Sequence, residues 1–278
     1  MPCLDIDGLT INAQRTGVGP PVVLPHGFTG SSTTWFPLAE TLAPHFEVII
    51  FDIIGHGRSS SPDFVTHYRM HQCVDDLVAA LRELGHQRAT WLGYSMGART
   101  ALQIAVHHLD AVDGLVLEGV TPGLADPEER AARVTADEAL ADRIERDGLE
   151  AFVDFWQSIS LWDTQTGLSP ETVATLRQQR MANSEVGLAN SLRGMGTGAQ
   201  QPLHDRLHEV DVPALLLTGA LDQKFTAIAQ VMAAEMPRAE LCPVAGAGHA
   251  VHLEDPAAFQ AAAADFLRRL HGLATPTG

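Results

Sequence analysis

Short apolar runs alternate with longer stretches in which apolar residues recur at helical spacing, and that alternation sets the expected fold. Residues 3–15 read as a hairpin with Asp7-Gly8 as its turn. PVVLPHG (21–27) and EVIIFD (47–52) are rich in Val and Ile and end in glycine-containing loops, so they predict buried strands. A helix is expected from Met70 to about Leu84. A strand over ATWLGYS (89–95), a helix over MGARTALQIAVHH (96–108) and a strand over VDGLVLEG (112–119) follow.

The texture changes at Thr121. From there to about His208 no strand-like run occurs, and the segment is charged and helical. Strands resume with PALLLTG (213–219) and AELCPVAG (239–246), each followed by a helix, the last containing the Ala-rich stretch 257–264. Alternating strands and helices predict an α/β fold, a mostly parallel sheet flanked by helices with right-handed crossovers. Residues 1–120 and 209–278 then form the core, 121–208 an inserted helical lid, and ATPTG (274–278) a frayed tail.

Composition narrows the function classes. A chain of 278 residues suits one large domain, or one carrying an insertion. Its formal net charge of −16 argues against binding nucleic acid or an acidic membrane. A small anion as substrate needs a local cluster of positive charge to overcome that background. Cys3, Cys73 and Cys242 are scattered and form no CxxC pair, which suits a reducing compartment and argues against a disulfide scaffold or zinc site. MPCLDIDGLTINAQRTG has neither a basic start nor an apolar run, and no stretch approaches a membrane span, so a cytoplasmic protein is expected. The oligomeric state is left open between monomer and homodimer.

Gly93-Tyr94-Ser95-Met96-Gly97 matches G-x-S-x-G at a predicted strand-to-helix junction, where the turn demands small residues two before and two after the serine. A catalytic serine needs a base, and the base needs an orienting group. His249 lies in the loop AGAGHAVHLEDP after the last predicted strand, and Asp222 ends the loop after the preceding one. Ser95, Asp222, His249 is the chain order of the α/β-hydrolase triad, which this chain resembles over essentially its whole length. The oxyanion hole is expected from the Met96 amide together with one from HGFTG (26–30), Phe28 being the expected donor. Glu118, at the end of the preceding strand, is a rival for the acid. His204 and His208 could share a helix face, but no carboxylate or cysteine cluster joins them, so no metal is expected. Gly55-His56-Gly57 is expected to be a structural turn.

Arg99 follows Ser95 by four residues, hence on the same helix face. It either faces the serine's cavity or snorkels to the surface. Arg133, Arg180 and Arg193 lie in the lid segment, each readable singly as a solvated charge. Together with Arg99 they suggest a clamp for several carboxylates, since guanidinium forks suit planar oxyanions.

HGFTGSSTTW, GYSMGART, VLEGVTPGLADPEERAAR, FVDFWQSISLW, SLRGMGTGAQ, GALDQKF and AGHAVHLEDP occur in order from about residue 26 to 256. With these pieces the chain resembles the 2-succinyl-6-hydroxy-2,4-cyclohexadiene-1-carboxylate synthases of menaquinone biosynthesis. The resemblance implies elimination of pyruvate from a succinyl-enolpyruvyl substrate, without metal or cofactor. Ser95 would act as base, activated by His249, which Asp222 orients. It assigns substrate carboxylates to Arg99, Arg133 and Arg180, and pocket aromatics to Tyr94 and Trp156. The Trp156 match needs a one-residue shift, so Phe155 competes for that place. Lys224 matches a family position without an assigned role. Ile54 stands where a proline often precedes the glycine turn.

Two other readings compete. A serine hydrolase acting on an ester, thioester or C–C bond would use Ser95 as a covalent nucleophile, but for a neutral substrate it has little use for three guanidiniums. A non-catalytic receptor of the same fold need not keep an intact triad.

Overall fold

The computed structural model describes residues 3–274, so the tail expectation beyond Ala274 lies outside the described residues. The strands are β1 (Cys3–Ile6), β2 (Leu9–Thr16), β3 (Pro21–Pro25), β4 (Glu47–Phe51), β5 (Ala89–Tyr94), β6 (Val112–Glu118), β7 (Ala214–Gly219) and β8 (Ala239–Val244). They form one sheet in the order β1-β2-β4-β3-β5-β6-β7-β8. The first hairpin is antiparallel and joins β4 antiparallel, while β4-β3-β5-β6-β7-β8 pair in parallel. Asp7 (φ 51°) and Gly8 (φ 80°) both adopt left-handed backbone in the hairpin turn, the twist that tight two-residue turns require.

The helices are α1 (Phe36–Leu42), α2 (Met70–Glu83), α3 (Met96–His107), α4 (Pro127–Trp156), α5 (Pro170–Met181), α6 (Glu185–Met195), α7 (Gln223–Glu235), α8 (Val251–Glu254) and α9 (Pro256–Leu270). Side-chain alternation along the strands builds a core on each sheet face. Val23, Ile49, Trp91, Leu115 and Leu216 point to one face, packed on Leu77 of α2, Ala101 of α3 and Met232 of α7. Val22, Leu24, Val48, Leu92, Val116 and Leu217 point to the other, packed on Leu38 of α1 and Phe259 and Leu267 of α9. The expected strands and the helices at 70–84 and 96–108 therefore stand as read. The helix α1 was not anticipated, because PLAETL is too short to display a period.

Between β6 and β7 lie α4, α5 and α6. Asp126 caps α4 by accepting from the Glu128 and Glu129 amides at 2.7 and 3.0 Å. The helix breaks at Gly148 (φ 83°), where Glu185 of α6 accepts the freed Leu149 amide at 2.9 Å. A separate apolar cluster of Ala141, Ile144, Phe152, Val153, Leu188 and Leu192 ties α4 to α6.

Candidate active site

The strand β5 runs straight into α3, and Ser95 sits at the junction with φ 50° and ψ −106°. A Cβ on Gly93 would collide with the Gly97 carbonyl, and one on Gly97 with the Pro25 carbonyl. Both glycines are therefore steric requirements of the turn. The strain at Ser95 is held by backbone bonds: its N–H donates to Glu118 O at 2.8 Å, and its carbonyl accepts from Arg99 N at 2.9 Å.

Two loops at the C-terminal ends of β7 and β8 deliver the partners. His249 Nδ1 lies 2.8 Å from Asp222 Oδ2, and His249 Nε2 lies 3.4 Å from Ser95 Oγ. Asp222 Oδ1 also accepts from the Phe225 amide at 3.1 Å. Burial pushes the Asp222 carboxyl up, but the bonds from His249 and Phe225 outweigh it and leave it below the ordinary carboxylate value. That carboxylate assigns the proton on His249 to Nδ1, so Nε2 is free to accept from serine. The His249 loop is itself braced by Glu254, whose carboxylate accepts from the Gly248 and Ala250 amides at 2.7 and 3.3 Å.

The serine opens into a cavity of about 400 Å³, lined among others by Phe28, Tyr94, Met96, Arg99, Arg133 and Trp156. Met96 is the first residue of α3, where helix amides have no intrahelical acceptor. Arg99 does not snorkel. It is 8% exposed, and its Nη1 donates to Met195 O at 2.9 Å and to Gln200 Oε1. Burial and the nearby Arg133 charge pull its guanidinium down to about 10, so it stays cationic at neutral pH. Arg133 enters the same cavity, held through Nε by Asp137.

Trp156 lines this cavity and stacks on Phe152 at 5.8 Å, whereas Phe155 lies under the Arg143 guanidinium at 3.9 Å. The structure thus separates the two aromatic candidates. Arg180 departs from the clamp as first pictured: it stands beyond Trp162, 5.6 Å from that ring, and faces a narrow neighbouring recess. Arg193 departs further, being engaged by Glu138, Asp142 and Glu145 of α4. Lys224 borders the main cavity and makes no ion pair within 4 Å among the described residues.

Glu118, the rival acid, is not beside His249. It is fully buried and receives the His252 amide at 3.0 Å and His252 Nδ1 at 2.9 Å. The turn at 55–57 packs on Asp52, which accepts from Asn12 Nδ2 and the Arg58 amide at 2.8 and 2.9 Å, in keeping with a structural role. His204 and His208 lie on a 3-10 segment (204–209) and gather no third metal-ligating side chain among the described residues. Asp137, Trp162, His252 and Phe225 are pocket or positioning residues that sequence reasoning did not single out. Asp137 alone carried a readable signal, being four residues after Arg133 on one helix.

A family profile described as alpha/beta hydrolase fold matches residues 20–256. The putative 2-succinyl-6-hydroxy-2,4-cyclohexadiene-1-carboxylate synthase of Bacillus subtilis (strain 168) is 42% identical over 88% of this chain and 89% of its own. The synthase of that name from Pectobacterium atrosepticum is 34% identical over 90% of this chain and 94% of its own. A solved structure of MenH from S. aureus superposes with a TM-score of 0.89 at 31% identity, covering 94% of this chain and 98% of that one. No helix among the described residues is long and apolar enough to cross a membrane. With the strand order, the serine turn and relatives of this similarity in hand, the chain belongs to the alpha/beta hydrolase fold family and, within it, to the 2-succinyl-6-hydroxy-2,4-cyclohexadiene-1-carboxylate synthases.

Proposed function

We propose that this enzyme eliminates pyruvate from 2-succinyl-5-enolpyruvyl-6-hydroxy-3-cyclohexene-1-carboxylate to give 2-succinyl-6-hydroxy-2,4-cyclohexadiene-1-carboxylate. The observation that carries the reading is a serine–histidine–aspartate array opening into the same cavity as two guanidiniums, Arg99 and Arg133. Such a cavity suits a polycarboxylate better than a neutral ester.

His249 Nε2 takes the Ser95 hydroxyl proton as Ser95 Oγ takes the proton from the ring carbon beside the succinyl ketone. The C–H electrons form a ring double bond, the existing double bond shifts by one position, and the C–O bond to the enolpyruvyl group breaks. The abstracted proton balances the one that the departing enolpyruvate gains on becoming pyruvate. Negative charge gathers on the ketone oxygen during proton loss. The Phe28 and Met96 amides are the donors that would hold it, each worth about 2.7–4 kcal/mol in comparable sites. Tyr94 stays a neutral phenol, because burial and the Glu118 charge push it up. Residues 121–208 act as the lid, since Arg133, Trp156 and Trp162 all come from it and border the cavity.

The experiment is direct. The succinyl-enolpyruvyl substrate is supplied and pyruvate release is followed. Rapid release with slow turnover of nitrophenyl esters is expected, and the reverse pattern would assign the site to ester hydrolysis.

A further inference from the structure

Glu118, the last residue of β6, is bonded to both halves of the serine–histidine pair. Its backbone carbonyl accepts the Ser95 N–H at 2.8 Å. Its side-chain carboxylate accepts the His252 amide at 3.0 Å and His252 Nδ1 at 2.9 Å. His252 stands in α8, three residues after His249, with only the fully buried Ala250 and Val251 between them. One residue thus touches the turn of the serine and the chain segment of its base. The next residue, Gly119, passes beneath the His249 ring, where a Cβ would come within 2.9 Å of Cε1. The end of β6 is a shared footing for Ser95 and His249.

The other bonds of the His249 loop act in different directions. Glu254 braces the Gly248 and Ala250 amides from within the same segment, which fixes the loop's shape but not its place over the sheet. The Leu221 amide on the Ala247 carbonyl, at 2.9 Å, and Asp222 on His249 join the loop to the end of β7. Glu118 supplies the tie to β6, whose neighbour β5 ends in the serine turn, with Tyr94 opposite Glu118. Stability alone is a poor reason for such a pair, because apolar residues of similar volume often serve a core as well as buried ionic groups do. Neither Glu118 nor His252 is among the described residues that line the main cavity. What the pair does govern is the 3.4 Å between His249 Nε2 and Ser95 Oγ, a separation at the far end of hydrogen-bond reach.

We propose that Glu118, acting through His252, is a positioning residue for proton transfer: it sets the height of the His249 loop over the Ser95 turn and thereby the Nε2–Oγ distance. A neutral His252 suffices, since its Nδ1–H and its amide N–H both donate to the carboxylate without any change of protonation. The Glu118 backbone bond holds the nucleophile from below, and the side-chain bonds hold the base from the side. The role does not depend on the substrate, because Ser95 gives its proton to His249 whether it serves as base or as nucleophile.

Two pairs of variants of the full chain separate position from charge. Glu118→Gln keeps the side-chain length and an acceptor oxygen but removes the charge, so most of kcat should remain. Glu118→Asp keeps the charge and draws the anchor back by one methylene. Its kcat should fall by at least about tenfold with KM little changed, since a misplacement of about 1 Å can cost about 100-fold. On the other side, His252→Asn keeps an N–H in the place of Nδ1 and should stay fast, while His252→Leu fills the space without a donor and should be slow. Either pair decides if a member of the other fails to fold, and rates are taken well below each melting temperature. Pyruvate release from the succinyl-enolpyruvyl substrate gives kcat and KM. Diisopropyl fluorophosphate gives a second readout that needs no substrate: Ser95 Oγ forms a bond to phosphorus, fluoride leaves, and the serine proton passes to His249. Labelling rates, read by intact mass, should fall in the same order as kcat. Glu118→Gln slower than Glu118→Asp would make the role electrostatic and overturn the proposal. So would a loss confined to KM, rates that track melting temperature rather than side-chain length, or equal labelling in all the folded variants. Labelling in the expected order by a protein that releases no pyruvate strikes the synthase reading and leaves the positioning role standing.

Discussion

Arg133 Nε donates to Asp137 Oδ1 at 2.8 Å across one turn of α4, and the two ends of this pair live in different solvents: the Arg133 side chain is 43% exposed and that of Asp137 only 3%. A pair so open on one side gains little from Coulomb attraction. Its use is geometric, since an anchor at Nε leaves the two terminal nitrogens free as a fork for a carboxylate. Asp137→Asn keeps an acceptor at that position and should preserve kcat/KM within a few-fold. Asp137→Ala should lower it by about tenfold, mostly through KM. In an Arg133→Ala background the Asp137→Ala change should cost almost nothing more, a non-additivity that steady-state kinetics on the four proteins reads directly.

The Ser95–His249–Asp222 array should behave as a unit. Ser95→Ala and His249→Ala are each expected to lower kcat by at least about 1000-fold, and the double variant no further. Because no acyl-enzyme lies on the elimination route, mass spectrometry of the enzyme turning over natural substrate should find no adduct on Ser95. An accumulating Ser95 adduct would mean covalent catalysis.

The depressed Asp222 carboxyl makes a pH statement. Its folded value lies below the unfolded one of about 3.9, so ionised Asp222 stabilises the fold. That contribution is complete above the unfolded value and is lost as pH falls through the folded value. Wild type should therefore melt above Asp222→Asn at pH 7. The gap should narrow as scans are repeated below about pH 4.

Arg99 is a buried cation whose hydrogen bonds go to a backbone carbonyl and an amide rather than to a carboxylate. Asp137 is the carboxylate that acts on it at longer range, and on the proposed reading a ligand carboxylate supplies the direct counter-charge. Tricarballylate, a flexible tricarboxylate, should raise the melting temperature; at about 100 times its Kd the gain is about 2.7 kcal/mol, several degrees for a chain of this size. Arg99→Gln should abolish most of that shift. An equal shift in the variant would place the anion elsewhere.

Much of this geometry was legible because it is local. The G-x-S-x-G turn, Asp222 and His249 each sit at the end of a strand that apolar runs mark, so chain order alone predicted their convergence. Arg99 follows from helix spacing, and Asp137 would have followed from the same rule applied to Arg133. The position of Arg180 was not legible, because it depends on where Trp162 falls in a 3-10 segment (160–167) with no clean period. Nor was the Glu118–His252 pair. It joins residues 134 positions apart, and from the sequence the same carboxylate stands only as a rival to Asp222 for the acid of the triad.

Gly248, next to His249, lies against the 160–167 segment. Its backbone needs no left-handed conformation, yet a Cβ there would collide with Thr164 of the 160–167 segment. Glycine is required at this position because another chain segment comes too close. Gly248→Ala should therefore displace the 160–167 segment, and with it Trp162, which stands 6.1 Å from the His249 ring. A fall in kcat/KM of about tenfold or more is expected, with the melting temperature little changed because the segment has no buried residue of its own. Thr164→Gly removes the colliding atoms, so it should restore much of the activity when combined with Gly248→Ala. If the double variant is as slow as Gly248→Ala alone, the defect lies in the His249 loop itself, and the braces from Glu254 become the place to look.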